Sequence, residues 1–208
     1  MSLSSRLRRE FYTGPTLAVA RALLGQRLVR MEDSGNRLAG LIIECEAYVG
    51  VEDLGCHARS GRTARNASIW GPPGHAYVYF TYGIHWMLNV VTEPEGRPAA
   101  VLIRGLWPKE GEQIMLSRRP RGPQLGVADG PAKLCQALAI DKQFDGKDLC
   151  APSARLFLEE GITVPESHVT VGPRVGLNTV PEPWKSIPWR FRVDPRSCEL
   201  LFEEEMLS

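Results

Sequence analysis

Two carboxylates and a tyrosine alternate in the segment IECEAY, at the end of an otherwise apolar run. Side chains at i and i+2 share one face of a β-strand, so Glu44, Glu46 and Tyr48 are expected to point the same way. Carboxylates are a residue type of acid–base chemistry, and a pair of them is rarely retained on a buried face unless something uses it. Half-exposed strands are common, however, so the segment taken alone favours a solvated face, with the alternate side chains from Ile43 to Ala47 in the core.

The segment YVYFTYGIHWMLNVV, residues 77–91, gathers three of the five tyrosines of the chain, a Phe and a Trp around one glycine. Gly83 tolerates the positive φ of a tight turn, which predicts a β-hairpin with Tyr82 and Ile84 at its tip. Aromatic and aliphatic side chains at a tip bury nothing internally, so they are candidates for a wedge. A tip folded back onto its own domain is the alternative that this segment leaves open.

Three polar residues interrupt apolar patterns and therefore need partners. Asn89 lies within the strand MLNVV, where a buried amide requires the backbone or the polar edge of a ligand. Arg104 ends the strand AAVLIRG, and a guanidinium in that position usually pairs with a carboxylate. The helix start in DGPAKL, with Lys133 in its first turn, could hold an anion such as phosphate, although a simple helix cap is the commoner arrangement.

Charge is locally uneven in a chain whose formal net charge is only +1. Arg59, Arg62 and Arg65 occur in HARSGRTARN without an acidic residue among them, SRRPRGP adds three more arginines, and the C-terminal end is acidic. Basic loops on a nearly neutral protein are what phosphate contacts would need. Solvated surface loops are the alternative.

Composition excludes several classes of protein. With 208 residues, 43% of them hydrophobic and 24% charged, the chain is typical of one globular domain and not of a disordered or fibrous protein. It has no apolar run of the roughly 20 residues that span a membrane and no signal peptide, so a soluble intracellular protein is expected. The five cysteines are odd in number and form no CxxC, which favours free thiols over disulfides or a zinc site. The chain also contains no P-loop, Rossmann, HExxH or GxSxG motif.

Hydrophobic periodicity predicts the elements that must position these residues. A helix is expected in residues 13–26, a hairpin in 26–50 and an irregular loop in 50–75. A strand follows the turn at 93–98, two helices begin at Pro108 and Pro131, and late strands lie in SARLFLEEG, HVTVGPRVGL and PWRFRV. Hairpin-connected strands with scattered helices, and no internal repeat or linker, indicate an α+β fold on a mainly antiparallel sheet, with residues 1–208 as one domain.

These segments together resemble the alkyladenine (3-methyladenine) DNA glycosylase family of base-excision repair enzymes. The resemblance rests on ECEAYVGVEDLGCHARSGRTARN, YVYFTYGIHWMLNVV, AAVLIRGL, GPAKLCQALAIDKQFDGKDL and PRVGL, which occur in the family's order and span roughly residues 8–193. It implies a single α+β domain on a curved, mainly antiparallel sheet with flanking helices. It also implies a protruding β-hairpin that enters the DNA minor groove, and neither a metal nor an organic cofactor.

The resemblance also implies roles for individual residues. Glu46 would be the general base that activates water, and Arg104 would help to hold that water. Tyr48, His57 and Tyr79 would form the walls of a pocket that stacks the everted base.

Four residues of the hairpin complete this implied site. Tyr82 would fill the gap left in the duplex, with Ile84 beside it. Asn89 would lie at the pocket floor and disfavour the exocyclic amino group of guanine. Met87 lies near the pocket, and both it and Ile84 differ from the apolar residues of animal relatives, so the preferred lesion could shift.

The expected function is that of a monofunctional DNA glycosylase acting on 3-methyladenine, 7-methylguanine, hypoxanthine or ethenoadenine in double-stranded DNA. No motif for a Schiff-base lysine accompanies the carboxylate, so no lyase activity is expected. The protein is expected to be a monomer in the nucleoid of a bacterial cytoplasm or in a eukaryotic nucleus. A catalytically silent binder of damaged DNA and a nucleoside N-glycosidase are the alternatives. The tail of residues 194–208 has no counterpart in the resemblance.

Overall fold

A computed structural model describes residues 5–119, 126–194, 197–198 and 201. These residues form one antiparallel sheet, three α-helices and several short 3-10 turns. The strands are β1 (Arg27–Met31), β2 (Arg37–Val49), β3 (Ala76–Thr81), β4 (His85–Val91), β5 (Ala99–Glu110), β6 (Leu156–Glu159), β7 (Val169–Gly172) and β8 (Arg190–Val193). The α-helices are α1 (Thr16–Ala22), α2 (Glu112–Arg118) and α3 (Pro131–Ala137). The predicted α+β class on an antiparallel sheet is confirmed.

The sheet runs in the order β3-β4-β5-β2-β1-β6, and β8 pairs with both β2 and β7. Strand β2 is the central strand of the sheet. On one edge its first half pairs with β1, and farther along the same edge Glu44 to Glu46 pair with β8. Along nearly its whole length it also pairs with β5. The second half of β2 therefore has a hydrogen-bonded strand on each side.

The two faces of the central strands bury different clusters. On one face Cys45 and Ala47 of β2 join Val101 and Ile103 of β5 in the main core, to which α1 and α3 also contribute. On the other face a smaller cluster contains Tyr77, Val91 and Ala100 of the sheet together with Cys56, Ala58 and Ile69. The last three come from the 50–75 segment, which is irregular as predicted apart from two 3-10 turns, His57–Ser60 and Ala67–Trp70. This segment covers part of the second face.

The hairpin around Gly83 is confirmed. Strands β3 and β4 pair from Ala76–Val90 to Thr81–His85, which leaves only residues 82–84 as the tip. Gly83 has a φ of 69° and Tyr82 a φ of 53°, both in the left-handed region that a tight turn of this kind requires. Tyr82 adopts this backbone although it is not a glycine, which is uncommon outside turns and functional segments.

The prediction of a helix beginning at Pro108 is wrong. Strand β5 continues through Glu110, and α2 begins only at Glu112, after Gly111 in the left-handed region. Pro108 lies opposite Gly40, beside a register shift between Ala39 and Gly40. A proline is tolerated in a strand at such an irregularity, because the ladder hydrogen bond that its nitrogen cannot donate is already disturbed there.

The structure also bears on the remaining predictions about elements, cysteines and membrane helices. The other predicted helices and strands are present, and the five cysteines, all within the described residues, form no disulfide. No helix among the described residues has the length and apolar character needed to cross a membrane. Arg121 of the second basic loop and the acidic residues at 203–205 lie outside the described residues.

Candidate active site

A row of side chains crosses the second face of the sheet in register. Tyr77 of β3 lies opposite Asn89 of β4, Asn89 opposite Leu102 of β5, and Leu102 opposite Glu46 of β2. Directly opposed residues of antiparallel strands project to the same face. The strand register thus brings an aromatic ring, an amide and a carboxylate onto one surface, although they lie up to 43 positions apart in the sequence (46 to 89).

Glu46 is completely buried. Its Oε1 accepts a hydrogen bond of 2.6 Å from the backbone N–H of Val175, and its Oε2 accepts one of 2.9 Å from the Tyr48 hydroxyl. Arg104 places Nη1 3.3 Å from the same Oε2. The solvated face favoured by the segment IECEAY alone is therefore wrong, because the loop around Val175, which is distant in sequence, lies against the carboxylate.

Burial raises the pKa of Glu46 above its ordinary value. The positive charge of Arg104 and the two hydrogen bonds, from Val175 and Tyr48, each act in the opposite direction. Tyr48 has a pKa well above its usual value because of burial and the adjacent Glu46, so its hydroxyl stays protonated and remains a donor. The pKa of the buried Glu46 is thus raised by burial and held back by one positive charge and two hydrogen bonds.

Arg104 pairs with a carboxylate, as its position at the end of an apolar run predicted. Its Nε donates to Oε1 of Glu44 at 2.7 Å, and both side chains are mostly buried. The negative charges of Glu46 and Glu44 raise the pKa of Arg104. Arg104 therefore bridges the two carboxylates of the IECEAY segment and is permanently charged.

An aromatic cavity lies beside Glu46. Its lining residues are Tyr48, Gly55, Cys56, His57, Ile69, Tyr77, Tyr79 and Asn89. Its volume is about 30 Å³, far below the roughly 300–1,000 Å³ of pockets that hold drug-sized ligands. A larger planar ligand would have to part the aromatic walls or occupy the open side of the cavity.

The predicted pocket walls do come together. His57 lies edge-on to Tyr79 with 4.4 Å between ring centroids, and its Nδ1 is 2.9 Å from the hydroxyl of Tyr77. The pKa of His57 is lowered by burial and by the positive charges of Arg65 and Arg59, so the ring is neutral at pH 7. Tyr77 was not among the predicted site residues, yet it anchors the histidine.

Asn89 and Met87 differ in their relation to the cavity. Asn89 is buried, lines the cavity, and donates from Nδ2 to the carbonyl of Tyr77 at 3.0 Å. No other described residue hydrogen-bonds this amide, so its oxygen is available to a ligand. Met87 lies opposite Tyr79 on the same face and is partly exposed, but it does not line the cavity.

The hairpin tip projects into solvent. Tyr82 is 83% exposed and Ile84 is 68% exposed, so the tip is not folded back onto its domain. Behind it, Phe80 and Trp86 stack with ring centroids 4.7 Å apart. This aromatic pair supports the end of the hairpin and leaves the two tip residues free for contact.

The basic residues that were predicted to contact phosphate differ in how freely their charges are exposed. Arg59, Arg62 and Arg65 are exposed, and Arg65 donates to the carbonyl of Phe80, which ties the basic loop to the hairpin. Lys133, at the start of α3, forms a salt bridge of 2.6 Å with Asp129, so its charge is locally balanced. A ligand anion at Lys133 would have to compete with that carboxylate.

A buried ion pair that sequence reasoning missed holds the site together. Arg174 and Asp53 form a two-bond salt bridge with both side chains fully out of solvent, including an Nη2–Oδ1 hydrogen bond of 2.8 Å. Arg174 also donates to the carbonyl of Ala47 and places its guanidinium 4.6 Å from the centre of the Tyr48 ring. It thereby fixes the neighbouring Val175 N–H on Glu46. No local signal marks the pair, since its members are 121 residues apart.

Comparison with known proteins identifies relatives of the whole chain. The family model described as methylpurine-DNA glycosylase (MPG) matches residues 10–197. A protein of Methanocella arvoryzae named as a 3-methyladenine DNA glycosylase is 49% identical over 186 residues, covering 89% of this chain and 90% of the relative. A protein of the same name from Chlorobaculum parvum is 44% identical over 185 residues, covering 89% and 86%. Another, from Desulfitobacterium hafniense, is 43% identical over 198 residues, covering 91% and 95%.

We expect Arg174→Met to lower the free energy of unfolding by about 3–5 kcal/mol, because it leaves the Asp53 carboxylate buried without its counter-ion. Arg97→Met is the matched control, since Arg97 forms a half-exposed salt bridge with Glu93 and should cost no more than about 1 kcal/mol. Urea denaturation of both variants measures the difference. Equal losses would show that the buried pair has no special structural weight.

Proposed function

The chain belongs to the methylpurine-DNA glycosylase family, and we propose that it excises alkylated or deaminated purines from double-stranded DNA with a water molecule activated by Glu46. The observation that carries this proposal is the fully buried carboxylate of Glu46, which lies beside an aromatic cavity, accepts two hydrogen bonds and forms an ion pair with Arg104. In this proposal the cavity holds the base, the carboxylate acts at the sugar, and the hairpin tip occupies the duplex.

The proposed reaction begins with eversion of the nucleotide, because the glycosidic bond of a stacked base is out of reach. Unstacking costs a few kcal/mol, and a side chain inserted between base pairs offsets part of it. Tyr82 is suited to this insertion by its exposure and its position at the narrow end of the paired β3–β4 hairpin. Ile84, on the other side of Gly83, would contact the neighbouring base step.

Base recognition is assigned to the aromatic walls of the cavity. The rings of Tyr48 and Tyr79 offer π-faces to any planar base, and a cationic alkylated purine gains about 0.5–2 kcal/mol more from cation–π attraction. This fits 3-methyladenine, the lesion in the names of the relatives, and also 7-methylguanine. Hypoxanthine and ethenoadenine would bind by stacking alone. The Asn89 amide at the cavity floor would disfavour the exocyclic amino group of normal guanine; 7-methylguanine carries the same group, and its positive charge would offset that penalty through cation–π attraction.

In the proposed chemical step Glu46 accepts a proton from water as the water oxygen forms a bond to C1′ and the C1′–N bond breaks. The bonding electron pair leaves with the base, so a cationic purine departs as a neutral molecule, whereas hypoxanthine or ethenoadenine departs as an anion that takes up a proton from water. The carboxylate also stabilises positive charge developing on the sugar. Arg104 keeps Glu46 ionised and helps to orient the water, while Tyr48 and the Val175 N–H hold the carboxylate oxygens in place.

We expect Glu46→Gln to reduce the single-turnover rate of base release by about 10²–10⁴-fold, because glutamine has the same shape but cannot accept the proton. The assay uses duplex DNA containing hypoxanthine or ethenoadenine, followed by alkaline cleavage at abasic sites. Glu110→Gln is the control, since Glu110 pairs with Arg37 in the same sheet, on β5 at the end remote from the cavity.

Three results of this assay would contradict the proposal. Equal rates for wild type and Glu46→Gln would remove the carboxylate from the mechanism. Release from no lesion would indicate a binder of damaged DNA, and faster release from free nucleosides than from duplex would indicate a nucleoside hydrolase.

We expect Tyr48→Phe to move the acid limb of the pH–rate profile to higher pH. The Tyr48 hydroxyl lowers the pKa of Glu46 by donating to Oε2, so its loss raises that pKa further. Because the reaction needs the ionised carboxylate, activity would then be lost at a higher pH as the solution is acidified. Tyr12→Phe is the control, since the buried Tyr12 hydroxyl has no hydrogen-bond partner in the described structure and lies outside the cavity. Superimposable profiles for Tyr48→Phe and wild type would exclude this coupling.

We expect Tyr82→Ala to slow excision from duplex DNA by about 5- to 150-fold, the equivalent of the roughly 1–3 kcal/mol that an aromatic ring gains by stacking on a base. Its thermal midpoint should stay unchanged, because the side chain is 83% exposed and packs against nothing. Tyr82→Phe keeps the ring and should retain most of the rate. A large loss of thermal stability in Tyr82→Ala, or an undiminished rate, would contradict a wedge role.

A further inference from the structure

The row of side chains that carries Glu46 continues onto β8. Glu46 lies opposite Arg190, and Glu44 lies opposite Arg192. Both arginines therefore project to the face of the sheet that holds the cavity. Phe191, between them, points the other way and packs against the main core. The alternation of β8 thus fixes two cations on the site face.

These cations outnumber the acids that face them. The Glu44 carboxylate has three guanidinium neighbours: Arg104 at 2.7 Å, Arg190 at 3.4 Å and Arg192 at 3.9 Å. With Glu46 included, three positive charges face two negative ones, which leaves a net charge of +1. Arg104 forms the shortest contact with Glu44. The two β8 arginines lie farther from that carboxylate, so most of their N–H groups are not used by it.

Both β8 arginines are open to a ligand. The side chains of Arg190 and Arg192 are 31% and 45% exposed, whereas that of Arg104 is 13% exposed. Arg190 lies one strand from Glu46, a spacing of about 4.8 Å between the two backbones. An anion bound there would lie at the border of the proposed reaction site, on the side away from the aromatic cavity.

The chemical order along this row is that of a nucleotide. Tyr77 and Asn89 border the cavity for a base, Glu46 follows at the position proposed for the sugar, and Arg190 comes next. We propose that Arg190 and Arg192 bind the phosphodiester backbone of the lesion strand beside the everted nucleotide. This inference rests on the proposed function, because it takes the cavity as the base pocket and Glu46 as the group acting on the sugar.

The proposed contact would position the sugar of the everted nucleotide. An everted nucleotide carries its flanking phosphates toward the protein, and a bidentate guanidinium can fix one of them by two hydrogen bonds. Holding the phosphate on β8 while the base lies in the cavity places the sugar over Glu46. Arg190 is therefore expected to affect both affinity and rate, whereas the outlying Arg192 is expected to affect mainly affinity.

The test measures the dissociation constant of Arg190→Gln and Arg192→Gln for a duplex containing ethenoadenine at several salt concentrations. Each lost phosphate contact should lower the slope of log K against log salt by about 0.9 and weaken binding at low salt. Arg190→Lys and Arg192→Lys keep the charge and should keep the slope. Arg155→Gln is the matched control, since Arg155 is 53% exposed, lies outside the sheet row and is paired with Asp33.

Slopes equal to wild type in both glutamine variants would overturn the proposal, as would an equal decrease in Arg155→Gln. If Arg190→Gln does not fold, Arg192→Gln decides, because its side chain is nearly half exposed. Base release by wild type and its loss in Glu46→Gln are measured in parallel. If those hold while the slopes do not change, only the phosphate contact is wrong; if wild type releases no base, the proposed function itself fails.

Discussion

The carboxylate of Glu46 lies entirely out of solvent, and the surrounding structure is organised by the free energy that this burial costs. Three groups from different parts of the chain offset that cost: the Tyr48 hydroxyl on the same strand and the backbone N–H of Val175 donate hydrogen bonds, and Arg104 on β5 supplies a positive charge. Two of them depend on one further residue, because Arg174 precedes Val175 and stacks on Tyr48. The carboxylate is therefore stable only where a folded β-sheet and a distant loop meet.

The sheet separates stability from chemistry by the alternation of its strands. Along β2, Cys45 and Ala47 enter the main core, while Glu46 between them projects to the face that carries the cavity and bonds to Tyr48 of its wall. The same division occurs on β4, where Leu88 and Val90 are core residues and Asn89 lines the cavity. Residues of the site are thus positioned by neighbours whose only role is packing. The 50–75 segment then covers part of the second face, where its residues complete the wall of the cavity.

Local rules predicted much of this architecture. The period of two put Glu44, Glu46 and Tyr48 on one face, and the glycine within the aromatic segment predicted the hairpin and its tip. The burial of Glu46 could not be predicted, because the donors and the covering segments come from parts of the chain without periodicity. The loop around Val175 and the residues near Asp53 carry no pattern that joins them, and their contact appears only when the sheet has formed. The residue roles came from the family resemblance, and the comparisons confirm the family and its enzyme class but not those roles.

The position of Glu46 within the sheet also determines how it can move. Opening β2 at this point would separate it from β5 and β8 together and would expose Cys45 and Ala47, so the carboxylate is released only with global unfolding. Tyr82 lies beyond the last residue pair of the β3–β4 hairpin. Its movement breaks no strand pairing and exposes no core residue, so it can fluctuate independently. The hairpin tip can therefore change conformation without disturbing the position of the buried Glu46 carboxylate. The mobile tip and the fixed carboxylate therefore belong to parts of the same sheet that can open independently.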